Sequence, residues 1–142
     1  GKLGLGRGNR GIEADNNSNN HLAQPTSNPY IKNLTLVGLG DQGTESQAIK
    51  LRVGTKGLFE NVVLSNFVTG IDIQHTEGIG YVNSQEIKIT DVRFVNVPSK
   101  AKGKDTAGAT VDVNSVFTEN DAATGAGEGE NMPSWTASWT RL

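Results

Sequence analysis

Phe59 to Gln74, FENVVLSNFVTGIDIQ, reads as two short strands joined at a sharp corner. Versions of both halves recur along the chain. With Asn33, Asn61 and Asp91 set in one column, IKNLTLVG (31–38), FENVVLSN (59–66) and ITDVRFVN (89–96) align without gaps. The apolar columns are Ile31/Phe59/Ile89, Leu34/Val62/Val92 and Leu36/Leu64/Phe94, and the last column is Gly38/Asn66/Asn96. A second set of segments interleaves with the first: GIEAD, AIKLR, GIDIQ and TVDVN. It places Ile12, Ile49, Ile71 and Val111 in one column and Ala14, Leu51, Ile73 and Val113 in another. No helical stripe competes with these patterns over a long window.

Alternating strands at a repeat of about 30 residues, with loops of varying length, are what a parallel β-solenoid requires. One coil cannot bury its apolar face alone. Stacked coils place Leu over Val over Val in a continuous core, with like strands about 4.8 Å apart. Asn66 above Asn96 is expected to form an amide ladder at a corner, since Asn tolerates the left-handed backbone that corners use. Asn33, Asn61 and Asp91 are expected to play a similar structural part. An antiparallel sandwich also uses short strands and Gly/Asn turns, but has no reason to repeat V-x-[LF]-x-N at equal offset. The expected fold is therefore all-β, a solenoid of about four or five coils at that repeat length.

Composition bounds the rest. The chain has 142 residues, 35% hydrophobic, with 18 glycines and a net charge of −2. That charge gives no sign of a nucleic-acid partner. Cysteine is absent, so there is no disulfide framework and no thiolate metal site. No apolar run approaches the length of a membrane span. Three domains are expected: solenoid coils over 1–118, a flexible acidic Gly-rich linker over 119–131, and a C-terminal cap over 132–142. Trp135 and Trp139 are expected to anchor that cap by packing on the last coil. The stretches 16–29 and HTEGIGYVNSQ (75–85) read as loops. The opening GKLGLGRG lacks a Met and reads as processed or excised.

GIEADN (11–16), SNPYIKNLTLVG (27–38), AIKLRVGTKGLFENVVLSNF (48–67) and WTASWT (135–140) resemble the C-terminal part of a family of secreted bacterial β-helix proteins, surface lipoproteins of marine Proteobacteria and Bacteroidetes. The resemblance covers most of residues 10–97 and the tail. It implies a right-handed parallel β-helix and an extracellular or cell-surface location. It supplies no catalytic residues, and the upstream coils of that family have no counterpart here.

Candidate chemistry lies on the outward positions of the second set of segments, Glu13/Lys50/Asp72/Asp112 and Asp15/Arg52/Gln74/Asn114. Asp72 beside Asp112 could clamp calcium through carboxylate oxygens. Glu13 and Asp15, with Asn16, Asn17 and Asp41 nearby, are further calcium candidates, although no EF-hand or nonapeptide spacing is present. The plainer reading is a solvated ladder of alternating charge, Glu13–Lys50–Asp72, which the modest energy of exposed pairs favours. His21 and His75 lack metal-ligand spacing and read as polar loop residues. Acid/base cleavage of a polysaccharide would need Asp72, Asp112, Lys50 and Arg52 to converge in a groove. Nucleophile-elbow and Rossmann patterns are missing, and GLGRG (4–8) is not followed by a helix.

The expected function is a non-catalytic structural or adhesive module. Its open N-terminal end would pair with further coils of a longer chain or with a neighbouring copy in a filament. The alternative is a carbohydrate-active, or carbohydrate- or calcium-binding, β-helix.

Overall fold

A computed structural model of the protein describes residues 8–42 and 44–138. Its strands are β1 (Gly8–Asp15), β2 (Tyr30–Gly40), β3 (Thr44–Arg52), β4 (Gly57–Phe67), β5 (Thr69–Gln74), β6 (Ile87–Val95), β7 (Ser99–Lys104), β8 (Thr110–Val111) and β9 (Phe117–Glu119). An α-helix, α1 (His75–Asn83), interrupts them. Strands alternate between two sheets. Sheet A runs β1-β3-β5-β7-β8 and sheet B runs β2-β4-β6-β9, and every pairing is parallel except β7 with β8. This is the all-β parallel solenoid that the repeats predict.

The register follows the sequence columns. Ile12 pairs with Ile49 and Ile49 with Ile71, while Ala14, Leu51 and Ile73 form the next row. In sheet B, Leu34, Val62 and Val92 stack, as do Leu36, Leu64 and Phe94. These rows face one another in a single hydrophobic cluster whose middle is fully buried. The repeated Asn and Asp positions explain the corners. Asn33, Asn61 and Asp91 have φ of 57°, 55° and 55°, and Asn66 and Asn96 have 59° and 51°. These residue types enter the left-handed region at the least cost among side chains with a Cβ. Their amides also bond along the stack. Asn61 donates to Asn33 Oδ1 at 2.9 Å, and Asn96 donates to Asn66 Oδ1 at 2.8 Å. Asn66 in turn donates to the Gly38 carbonyl at 3.0 Å.

Several expectations are corrected. TVDVN does not follow GIDIQ in the ladder. The strand beside β5 is β7, SKAKGK, with Ile71 against Ala101 and Ile73 against Gly103. Small residues serve at these inward positions because the space is filled from elsewhere: a Cβ on Gly103 would lie 2.6 Å from Val113 Cγ1 and 3.1 Å from Ile79 Cδ1. Val111 instead pairs antiparallel with Gly103. The stretch after Gln74, expected as a loop, is α1. Its Gly78 and Val82 are buried, and a Cβ on Gly78 would sit 3.1 Å from Ile73 Cγ2. Two glycines in nine residues hide such a short helix from propensity and periodicity.

The segment after β9 differs most. Rather than hanging as a linker, it runs back along the outside of sheet B. Asn120 donates to Asp91, Thr124 and Gly125 donate to Asn61 Oδ1, and Ala126 donates to Thr35 Oγ1. Thr35 Oγ1 donates in turn to the Gly129 carbonyl at 2.9 Å. The strap thus passes the β6, β4 and β2 rungs in reverse order. Trp135 ends beside Thr35 and Val37, at the first rung rather than on the last coil. The expected burial of this tryptophan also fails, since it is 60% exposed. The companion expectation for Trp139 lies outside the described residues, as does the opening stretch 1–7.

Candidate functional site

Inward Ile71 and Ile73 send Asp72 and Gln74 to the outer face of sheet A, because successive side chains on a strand alternate. Register then sets Lys50 on one side of Asp72 and Lys102 on the other. Both ammonium groups stand 3.7 Å from Asp72 Oδ2. Gln74 Nε2 donates to the other carboxylate oxygen. These side chains cover Asp72, which is 1% exposed. A carboxylate withdrawn from water this far is tolerable only when paired and hydrogen-bonded. Gln74 is itself in register with Lys104.

The result is a groove of about 430 Å³ lined by Gln47, Lys50, Asp72, Gln74, Lys102, Gly103, Lys104 and Thr110. It holds three lysines against one carboxylate. The surplus is positive, with amide and hydroxyl groups between the charges. Such a surface suits a chain of regularly spaced carboxylates.

The calcium candidates are not brought together. Asp72 faces two lysines, whereas Asp112 Oδ1 accepts the Asn114 amide in its own turn at 2.8 Å. The proposed Asp72–Asp112 pair fails because Lys102 holds the rung that TVDVN was expected to fill. Glu13 pairs with Arg10 and Arg52, and Asp15 accepts from Arg52 Nε and Nη2 at 2.7 and 2.8 Å. Hydrogen bonding to Asp15 holds the Arg52 guanidinium above its ordinary pKa. Asn16 is committed to its own loop, donating to the His21 and Ala23 carbonyls. Asp41 lies elsewhere, at the Asn66–Asn96 corner. Among the described residues no three His, Cys, Asp or Glu side chains form a group that could hold a metal ion.

The two histidines do meet. Their rings stand edge to face with centroids 4.7 Å apart. His75 Nδ1 accepts the Val53 amide at 3.0 Å, and His21 Nδ1 lies 3.0 Å from Glu77 Oε2. That contact with His21 holds the Glu77 carboxyl below its ordinary range. The cluster ties the long loop 16–29 to α1, a contact invisible while 75–85 reads as a loop.

Residues 4–140 match the family described as a pectate-lyase-like beta helix domain. The chain belongs to that family. No curated protein and no solved structure is significantly similar to it. Within this pectate-lyase-like domain, sequence reading found Lys50 and Asp72 but missed Lys102, Lys104 and Thr110 as their neighbours. The available signal was the alternation in SKAKGK, which sends Lys102 and Lys104 outward if Ala101 and Gly103 are allowed inside.

Proposed function

We propose that this β-solenoid is an extracellular adhesive module that holds acidic polysaccharide along sheet A without cleaving it. The observation that carries the reading is the Lys50–Asp72–Lys102 triad beside Lys104. Asp72 fixes one lysine on the strand to each side of it, and Lys104 extends the positive surface along β7. Uronate carboxylates would exchange ion pairs with these lysines, while Gln47, Gln74 and Thr110 would meet sugar hydroxyls. With both flanking lysines turned toward it, Asp72 is a positioning residue rather than a base. Family membership supports a carbohydrate-related role. The test is electrophoresis through gels containing polygalacturonate. Retardation that weakens with salt and falls in Lys102→Ala and Lys104→Ala, with no new reducing ends, is expected. Unretarded migration, or cleavage, would overturn the reading. Repeating the gel with EDTA tests whether calcium takes part.

A second reading concerns the first rung. Ile12, Ala14, Ile31, Leu34 and Leu36 are only partly buried, whereas Ile49, Leu51, Phe59, Val62 and Leu64 below them are buried. Among the described residues, β1 and β2 have no strand paired on their outer edges. A further coil, from a longer chain or from another copy, would extend both ladders there. Light scattering tests the assembly of copies: concentration-dependent growth is expected, and a stable monomer argues against it.

A further inference from the structure

The strap builds a second surface, distinct from the groove on sheet A. It passes the first rung and returns on itself, Ser134 and Trp135 meeting Glu128 and Ala126, and the hollow beside it has a volume of about 530 Å³. Its lining pairs apolar Val37, Met132 and Trp135 with polar Thr35, Glu130 and Asn131. Most of the Trp135 indole is open to solvent, as are Met132 and Val37. An indole exposed in this way is normally either mobile or buried by a partner. Here it is oriented: its Nε1–H donates to the Ala126 carbonyl at 3.3 Å. Ala126 is itself fixed, since its amide donates to Thr35 Oγ1 at 2.9 Å. The ring therefore hangs from a chain of hydrogen bonds rooted in β2.

We propose that this hollow binds a neutral β-linked glycan, with one pyranose ring stacked on Trp135. A pyranose with equatorial substituents offers a flat face of C–H groups, and an indole offers a large apolar face for it. Ligand sites of this type combine apolar walls with a few placed polar groups. Asn131 supplies an amide that both donates and accepts. Glu130 accepts from Ser65 Oγ and keeps acceptor capacity for a sugar hydroxyl. Among the described residues no lysine or arginine lines the hollow. The carboxylate disfavours uronate, so this surface selects against the polymer assigned to the groove on sheet A.

The experiment is titration of the full chain with cellohexaose, followed by tryptophan fluorescence and by saturation-transfer NMR. Wild type is expected to bind. Trp135→Ala should weaken binding about tenfold, the size of one lost aromatic contact, and Trp135→Phe should recover part of it. Circular dichroism of both variants checks that the solenoid persists. Cellohexaose that fails to bind, or that binds Trp135→Ala as tightly as wild type, overturns the proposal. Polygalacturonate retardation of Lys102→Ala is read separately, so failure at either surface leaves the other independently judged.

Discussion

The outer face of sheet A carries a charge or an amide at each rung, from Glu13 through Lys50 and Asp72 to Lys102. That of sheet B carries Thr35, Val63 and Ser65 on β2 and β4, with Arg93 in the same outward column on β6, and the strap covers it there. Val63 points away from the core yet is fully buried, because Gly125 packs on it. One backbone architecture thus yields an open face and a sealed one. Long charged side chains keep the surface of sheet A wet, while the short hydroxyl and methyl groups of β2 and β4 let a second chain approach within hydrogen-bonding distance. Substitutions on the sealed face should unsettle the fold, and those on the open face should alter binding at little cost to stability.

The strongest break in this contrast should come at Gly125. Its φ is +58°, and a Cβ there would lie 2.2 Å from Thr35 Oγ1 and 3.0 Å from the Leu34 carbonyl. Gly125→Val is expected to destabilise by about 3 kcal/mol, from backbone strain and displacement of the strap together. The urea midpoint measures it, and an unchanged midpoint would mean that the strap does not hold sheet B. Asn61 comes next. It holds a left-handed corner, donates to Asn33 and accepts from two strap amides. Asn61→Ala should cost about 2 kcal/mol, and Asn61→Gly less, because glycine keeps the corner and loses only the bonds.

A smaller effect is expected where α1 meets loop 16–29. Since Glu77 has a lowered pKa in the folded state, its contribution is present above the ordinary carboxylate value of about 4.3 and is lost as pH falls through its folded value. Thermal melts between neutral pH and pH 3 should show Glu77→Gln losing less stability on acidification than wild type. The least change should follow Arg52→Ala on the open face. Its pairs with Glu13 and Asp15 are exposed and screened, so the shift should stay within about 0.5 kcal/mol. A larger loss would mean that the charge rows of sheet A hold the fold as well as facing solvent.

How far the sequence reaches differs between the two sheets. Three of the four sheet B segments announce themselves, because each must supply the same inward pair and the same left-handed Asn or Asp. In sheet A the rule fails at β7. There α1 and Val113 occupy the space that larger side chains fill in the other rungs, and Ala101 and Gly103 carry no apolar signal. That single substitution of one rung for another moved Asp112 out of the groove and Lys102 into it.

The chain alone therefore determined the parallel stack, its register through three rungs and the corners that Asn66 and Asn96 hold, since each depends on neighbours one repeat apart. Only the tertiary structure decided what lies over the outer faces. The strap's partners Asn61 and Thr35 stand 63 and 91 residues from the groups that reach them. Polar contacts at such separations leave no period in a sequence, because each bond is made once and nothing repeats.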